Sequence, residues 1–435
     1  MRYVSTNSQS TPVGLREAIN RCVATDGGMF MPAELPLLPK AYFNNIGEMT
    51  LREIAFVVAN TFFGQDIDSA TLKSITDDSF SFDAPMVAIG NNTYLLELFH
   101  GPTLTFKDYG ARFMARLMHT LDSHSHCRRN VLVATTGNTG AAAANGLFKF
   151  DGISVSVLYP KGQLSRAQMA QLTALGENIH PVEIVGSVED CKRLVQNAIA
   201  DSSLNEYNLT GANSINIARL IPQITFALYA YAKLKALDVA NAEEALYSMP
   251  AGNMSNVVAA AMAKRIGCPM GMIAAATATN NQFAPLLAGE ERKNTRPEQS
   301  FAPSIDMSYP SGWPRLRHLY NGDLTAMRKD ILAPESINDD EIADTINSLR
   351  SCHNYTIDPH GAVAYAAAKK IDNGNAPKVV FATGHPAKQL DIMTRITGSA
   401  IEMPHQLARF MSVKRNPAII PPTLPALKKL LSSIN

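Results

Sequence analysis

A lysine amine is a good nucleophile only when it is held uncharged near neutral pH, and one lysine in this sequence stands where that is expected. In Leu96-Glu97-Leu98-Phe99-His100-Gly101-Pro102-Thr103-Leu104-Thr105-Phe106-Lys107-Asp108, Lys107 follows apolar neighbours and opens a helix. Desolvation and the positive end of the helix both disfavour its ammonium form. That is the condition for Schiff-base chemistry with an aldehyde. Taken alone, the segment also reads as an exposed lysine at a helix start.

Two more junctions carry unusual residues. Val133-Ala134-Thr135-Thr136-Gly137-Asn138-Thr139-Gly140 and Met249-Pro250-Ala251-Gly252-Asn253-Met254-Ser255-Asn256 both set small polar residues and glycine directly before a helix. Backbone N–H groups at such a terminus receive an anion, a carboxylate as readily as a phosphate. The plain alternative for the first is a tight turn with Thr139 as the cap. The second is no Walker A loop, since no Gly-Lys-Ser/Thr follows, and no Gly-x-Gly-x-x-Gly supports a dinucleotide. One reactive lysine, one carboxylate cradle and one phosphate cradle together suit pyridoxal 5′-phosphate (PLP) and an amino acid.

These loops need a scaffold that holds them together. Strands are expected at Thr93–Phe99, Asn130–Ala134, Ile153–Tyr159, His180–Val185, Ala245–Met249, Met272–Ala276 and Lys378–Ala382. Helices are expected between them, at about Asp108–Leu121, Thr139–Phe150, Ser165–Leu175, Val188–Ala200 and Asn256–Ile266. Such alternation predicts an α/β fold of parallel sheets, with ligands beyond the carboxyl ends of the strands. Residues 1–92 read as a mostly helical N-terminal extension, with apolar stretches Met49–Phe63 and Asp68–Phe80 parted by Gly64. Residues 93–230 are expected to form a smaller α/β domain carrying Lys107 and the carboxylate loop, and residues 231–435 a larger PLP-binding α/β domain. Glu290–Arg317 reads as an irregular connection, and the tail after Arg415 as a proline cluster with a short helix.

Composition narrows the function classes. Lys and Arg number 39 against 38 Asp and Glu, a net charge of +1, so no overall basic field favours nucleic acid or an anionic membrane. No run approaches the roughly 20 apolar residues of a membrane span, and the opening MRYVSTNSQSTPVGLREAIN lacks the apolar core of a signal peptide. The five cysteines never form Cys-x-x-Cys, which fits reduced thiols in a cytoplasmic protein. His119, His124, His126 and Cys127 crowd one loop, but their spacing matches no zinc pattern, and no metal is expected.

The chain resembles the threonine synthase family, a group of fold-type II (tryptophan synthase β-like) PLP enzymes. The family's LELFHGPTLAFKDFGARF stands here as LELFHGPTLTFKDYGARF over Leu96–Phe113. YVST…ATDGGMFMP near the start, YPKG ending at Gly162, LTGANSINIARL over Leu209–Leu220 and Asp358-Pro359-His360 extend the likeness nearly from end to end. The resemblance implies that Lys107 carries the cofactor aldehyde. It implies that Gly252, Asn253, Met254, Ser255 and Asn256 (family PSGNFGN) bind the cofactor phosphate. Thr136, Gly137, Asn138 and Thr139 (family TSGDTG) would hold the substrate carboxylate, with Asn138 also approaching the phenolic oxygen. Thr383, in the counterpart of TAHPAK, would face the pyridine nitrogen. The implied reaction converts O-phospho-L-homoserine and water to L-threonine and phosphate, in a cytoplasmic monomer or homodimer.

Departures cluster at the ligand loops. Thr136 and Asn138 replace Ser and Asp, Met254 and Ser255 replace Phe and Gly, Gly384 replaces Ala, and the family's SNAMDV reads Ala302-Pro303-Ser304-Ile305-Asp306-Met307. Ser255 brings a Cβ where glycine lets backbone meet phosphate, and its hydroxyl is expected to compensate. These changes leave two alternatives: a paralogue acting on another phosphorylated or phosphonate amino acid, and a non-catalytic descendant. Arg112, Lys161 and Arg315 are candidates to grip the substrate phosphate, and Lys161 and Lys388 are rival reactive lysines.

Overall fold

The computed structural model describes residues 1–122, 128–291, 296–413 and 416–434. In chain order its strands are β1 (Tyr3–Ser5), β2 (Phe30–Pro32), β3 (Met86–Gly90), β4 (Thr93–Glu97), β5 (Arg129–Ala134), β6 (Ile153–Pro160), β7 (Ile179–Ile184), β8 (Leu209–Gly211), β9 (Leu246–Pro250), β10 (Ile273–Ala276), β11 (Ile331–Leu332), β12 (Lys378–Ala382) and β13 (Ala418–Ile420). They form a two-stranded pair β1-β2, a six-stranded sheet β11-β10-β9-β12-β4-β3 and a five-stranded sheet β13-β7-β6-β5-β8. Pairing is parallel in both large sheets except between β3 and β4. The two parallel sheets expected from the alternation are present.

Two strands belong to sheets their flanking segments do not predict. β4, assigned above to residues 93–230 with the smaller domain, pairs with β12 in the six-stranded sheet, Leu96 opposite Phe381. β13, from the tail, runs beside β7 in the five-stranded sheet. An apolar run reveals that a strand is buried, but a crossover decides which sheet receives it. Lys107 therefore follows a strand of one sheet, while the Asn138 loop follows β5 of the other.

Other boundaries move for identifiable reasons. The helix expected at Thr139–Phe150 runs from Asn138 to Gly146 and stops at Leu147. Within the connection expected at Glu290–Arg317, a helix Trp313–Leu319 begins with proline in its first turn, where the missing N–H costs nothing. Helix Ile224–Ala236 is buried on nearly all sides, so it has no amphipathic period to find.

The extension supports the lysine helix. Helices Leu51–Phe63 and Ser69–Ser79 follow the two apolar stretches, the first opened by a Thr50/Glu53 capping box and ended at Gly64. Phe62, Phe63, Phe80, Tyr109 and Phe113 are all buried, with the Phe63 and Phe113 rings 5.6 Å apart. Each such ring contributes about 2–3 kcal/mol by burial, so the helix that starts at Lys107 is clamped along its length. No described helix is long and apolar enough to cross a membrane.

Arg315 ties these parts together. Its buried guanidinium donates to the carbonyls of Ser214 at 2.9 Å, Ile215 at 2.6 Å and Phe30 at 3.1 Å. A methionine there would leave three carbonyls without their donor. Arg315→Met is expected to lower unfolding free energy by about 3 kcal/mol, read as a fall in denaturation midpoint. An unchanged midpoint would show that these bonds do not hold the extension.

Candidate active site

The Lys107 loop is wound by its own residues. Gly101 leaves no room for a Cβ, which would lie 2.5 Å from the Asp108 carboxylate and 2.7 Å from the Phe82 ring. Leu104 takes the left-handed conformation at φ 61°. The buried Asp108 carboxylate accepts from Thr103 N at 2.8 Å and from Thr103 Oγ1 at 2.5 Å, which closes the loop just before the helix. The segment after β12 then braces the loop from the side. Leu98 N donates to Ala382 O at 2.9 Å, Phe106 N to Thr383 O at 3.0 Å, and His385 N to Leu104 O at 3.1 Å.

This braid brings distant residues to one cleft at the carboxyl ends of the strands. Its walls include Lys107, Asn138, Gly252, Asn253, Asn256 and Thr383, all expected from the sequence, together with Ser304, Ile305 and His360. Thr136 lines a larger neighbouring cavity. Met254 is buried at φ 69° as the residue preceding helix Ser255–Arg265, and Ser255 begins that helix. Gly137 and Thr139 are not on the cleft wall.

The anion loops are internally braced. Thr135 Oγ1 accepts from Gly137 N at 2.9 Å and Gly140 N at 2.8 Å. Gly137, at φ 119°, packs on Gln168, whose side chain would meet an added Cβ at 2.5 Å. In the other loop Asn253 Oδ1 accepts from both Ser255 N and Ser255 Oγ at 3.0 Å, and Asn253 Nδ2 donates to Ser214 Oγ at 2.9 Å. The hydroxyl expected to make up for glycine at 255 is thus bonded to Asn253.

Position singles out Lys107, the lysine on the cleft wall. Desolvation first, and the nearby Arg219 cation second, lower its amine to about 8. Lys388, one of the rival lysines, is fully buried; it donates to Gln171 Oε1 and does not line the cleft. Desolvation and the charge of Lys107 bring it down to about 7, against the pull of Asp108. Lys161, the other rival, is exposed on a turn.

The three candidates for a phosphate grip are all placed elsewhere. Arg315 is committed to backbone carbonyls as described, Arg112 pairs with Asp78 at 2.8 Å, and Lys161 lines neither cavity. His100 bonds Glu97 at 2.7 Å and is off the cleft wall. His124, His126 and Cys127 lie outside the described residues.

His360 and Ser304 had no role in the sequence reading. His360 is buried, with Nδ1 2.7 Å from Asp358 Oδ2, and its Nε2 accepts from Ser304 N at 3.1 Å. The neutral ring therefore carries its proton on Nδ1. The Asp358-Pro359-His360 triplet and the altered Ala302–Met307 segment were the available signals, and neither gave a task.

A desolvated amine lowered to about 8 on the cleft wall, beside helix termini that receive anions, fits PLP. The fold is that of the pyridoxal-phosphate dependent enzymes, whose family model matches residues 84–384, and the chain belongs to that family. A second model, the threonine synthase N terminus, matches residues 2–80. Threonine synthase of Buchnera aphidicola subsp. Baizongia pistaciae is 32% identical over 99% of both chains, and that of Haemophilus influenzae 33% identical over 91% of both. The crystal structure of threonine synthase from Escherichia coli superposes with a TM-score of 0.93 at 29% identity, covering 100% of both chains. PLP-bound threonine synthase from Brucella melitensis gives 0.92 at 29% identity, covering 100% of this chain and 99% of its own. Within the PLP enzymes the chain is a member of the threonine synthase family.

The amine of Lys107 makes a signed prediction for the ligand-free protein. An ammonium that loses its proton near pH 8 rather than 10.5 costs the fold up to about 3 kcal/mol below pH 8. Between those values the folded lysine is neutral while the unfolded one is charged, so stability rises with pH. Lys107→Met is therefore expected to be more stable than wild type at pH 7, with the gain vanishing by about pH 10.5. Thermal melts across that range check it; a gain that does not change with pH would contradict it.

Proposed function

We propose that the cleft converts O-phospho-L-homoserine and water to L-threonine and phosphate, and the observation that carries this is the desolvated Lys107 amine set between two helix termini that attract anions. PLP, when bound, supplies the electron sink for charge developing at the substrate carbons. Lys107 would hold the cofactor aldehyde, and its amine would be the base that takes the proton from Cα. An amine near pH 8 suits this work, since it is basic enough to accept a proton and acidic enough to release it.

The remaining side chains bind and orient. Gly252, Asn253, Met254, Ser255 and Asn256 receive the cofactor phosphate at the start of helix Ser255–Arg265. Thr136, Gly137, Asn138 and Thr139 receive the substrate carboxylate at the start of helix Asn138–Gly146. Thr383 offers a hydroxyl to the pyridine nitrogen. A neutral partner there keeps the nitrogen less protonated than a carboxylate would. Closure would carry the five-stranded sheet that bears the Asn138 loop over the substrate to exclude stray water. We place the enzyme in the cytoplasm, as a monomer or homodimer, in keeping with buried unpaired Cys22, Cys191 and Cys268.

A second reading rests on Ser304, a hydroxyl in the cleft at an altered position, which would fit a different phosphorylated or phosphonate amino acid. One assay separates them. PLP-loaded protein given O-phospho-L-homoserine is expected to release threonine and phosphate in equal amounts, with Lys107→Ala lowering both by about 10³-fold or more. A stably coloured enzyme that releases neither would move the function to the second reading.

A further inference from the structure

A histidine on the wall of an active-site cleft is the side chain first suspected of moving protons. His360 lines the cleft and is only 4% exposed, yet both of its ring nitrogens are occupied. Its Nε2 lies 3.1 Å from the backbone nitrogen of Ser304. A backbone N–H can only donate, so Nε2 accepts and bears no proton. The ring proton is then on Nδ1, which donates to Asp358 Oδ2 at 2.7 Å. Asp358 is fixed in turn, because its other oxygen accepts from Gly361 N at 2.8 Å as the cap of helix Pro359–Lys370. The ring has neither a lone pair nor a proton to spare.

The two partners of His360 belong to different walls. Ser304 leads into Ile305, which seats on the phosphate loop: a Cβ added at Gly252 would come within 2.7 Å of the Ile305 Cα. The next carboxylate, Asp306, accepts from Ser300 N, Ser300 Oγ and Asn280 Nδ2, each at 2.8 Å. The turn is therefore pinned at 306 by its own side chain and at 304 by His360. Asp358, for its part, touches the strand end after β12. Its Oδ2 lies 3.1 Å from the place a Cβ would take on Gly384, directly after Thr383. The pair thus bridges the loop assigned to the cofactor phosphate and the residue assigned to its ring.

We propose that His360 is a positioning residue for the cofactor and not an acid–base group: through Ser304 N and Asp358 it holds Gly252 and Thr383 at the spacing that the cofactor needs. The inference rests on the cofactor site proposed above and deepens it. Without an acceptor at Nε2, the Ser304 N–H loses its partner and the turn is free to leave Gly252. What the ring contributes is one acceptor at one place. A side chain that fills the space, or whose acceptor falls short, does not replace it.

Three substitutions separate the possible roles. Glutamine carries its amide oxygen to about the place of Nε2, the shorter asparagine reaches only as far as Nδ1, and leucine has no acceptor. PLP affinity is read by fluorescence, the bound cofactor by its absorption spectrum, and threonine formation by steady-state kinetics. His360→Leu and His360→Asn are each expected to weaken PLP binding by about tenfold and to change the spectrum. His360→Gln is expected to keep the spectrum, and to stay within about twofold of wild type in affinity and kcat. Equal losses in all three would reduce the ring to packing and overturn the proposal, as would no loss in any. A His360→Gln protein that binds PLP normally but loses about 10²-fold or more in kcat would make the ring an acid–base catalyst, which also overturns it. If His360→Leu does not fold, the contrast between glutamine and asparagine decides alone, and that contrast in affinity needs no turnover. Borohydride trapping of the wild type is scored separately. Trapping on Lys107 without the contrast sinks only this inference, and the contrast with trapping elsewhere sinks only the assigned lysine.

Discussion

Lys107 stands at the first position of a helix, half-buried, with a second cation, Arg219, close enough to lower its proton affinity further. Every one of these features opposes a charge on its amine, and the fold has to supply enough stability elsewhere to keep it there. The supply is visible. The lysine helix is packed along its length by aromatic rings from the extension, and the loop before it is closed by Asp108 and Thr103. The backbone of the loop is further tied to residues 382–385 by three hydrogen bonds. A residue that would relax into solvent if given the chance is held by structure drawn from three separate stretches of the chain.

The second constraint is that the site is shared between sheets. Lys107 follows β4 of the six-stranded sheet and Asn138 follows β5 of the five-stranded one, while Gly252 and Thr383 follow β9 and β12. All four loops leave the carboxyl ends of parallel strands, where helix N-termini converge and their dipoles add. The Ser304 turn touches both sides, bonding Asn138 on one and packing Ile305 on Gly252 on the other. A cleft built in this way changes shape if either sheet shifts.

Much of this was legible in the sequence, and the reason is that local chemistry leaves local marks. The Lys107 segment, the two anion loops and the alternation of strands with helices are each properties of ten or so adjacent residues. What escaped was non-local. The pairing of β4 with β12 depends on a crossover of the chain, not on the apolar pattern of residues 93–97. Helix Ile224–Ala236 left no period because all its faces are buried. Ser304 and His360 come to the cleft only through folding, and nothing near them in sequence says which loop they meet. Arg315 misled in the opposite way, since a cation near ligand loops suggests a phosphate grip while its three bonds are to backbone carbonyls.

The claim on which all of this rests is that the cofactor is held by Lys107 and by no other amine. The most direct measurement is to load the protein with PLP, reduce it with borohydride and map the modified peptide by mass spectrometry. A single phosphopyridoxyl group on Lys107 is the result predicted. Label on Lys388, a buried lysine of lowered proton affinity, or on the exposed Lys161, would contradict it.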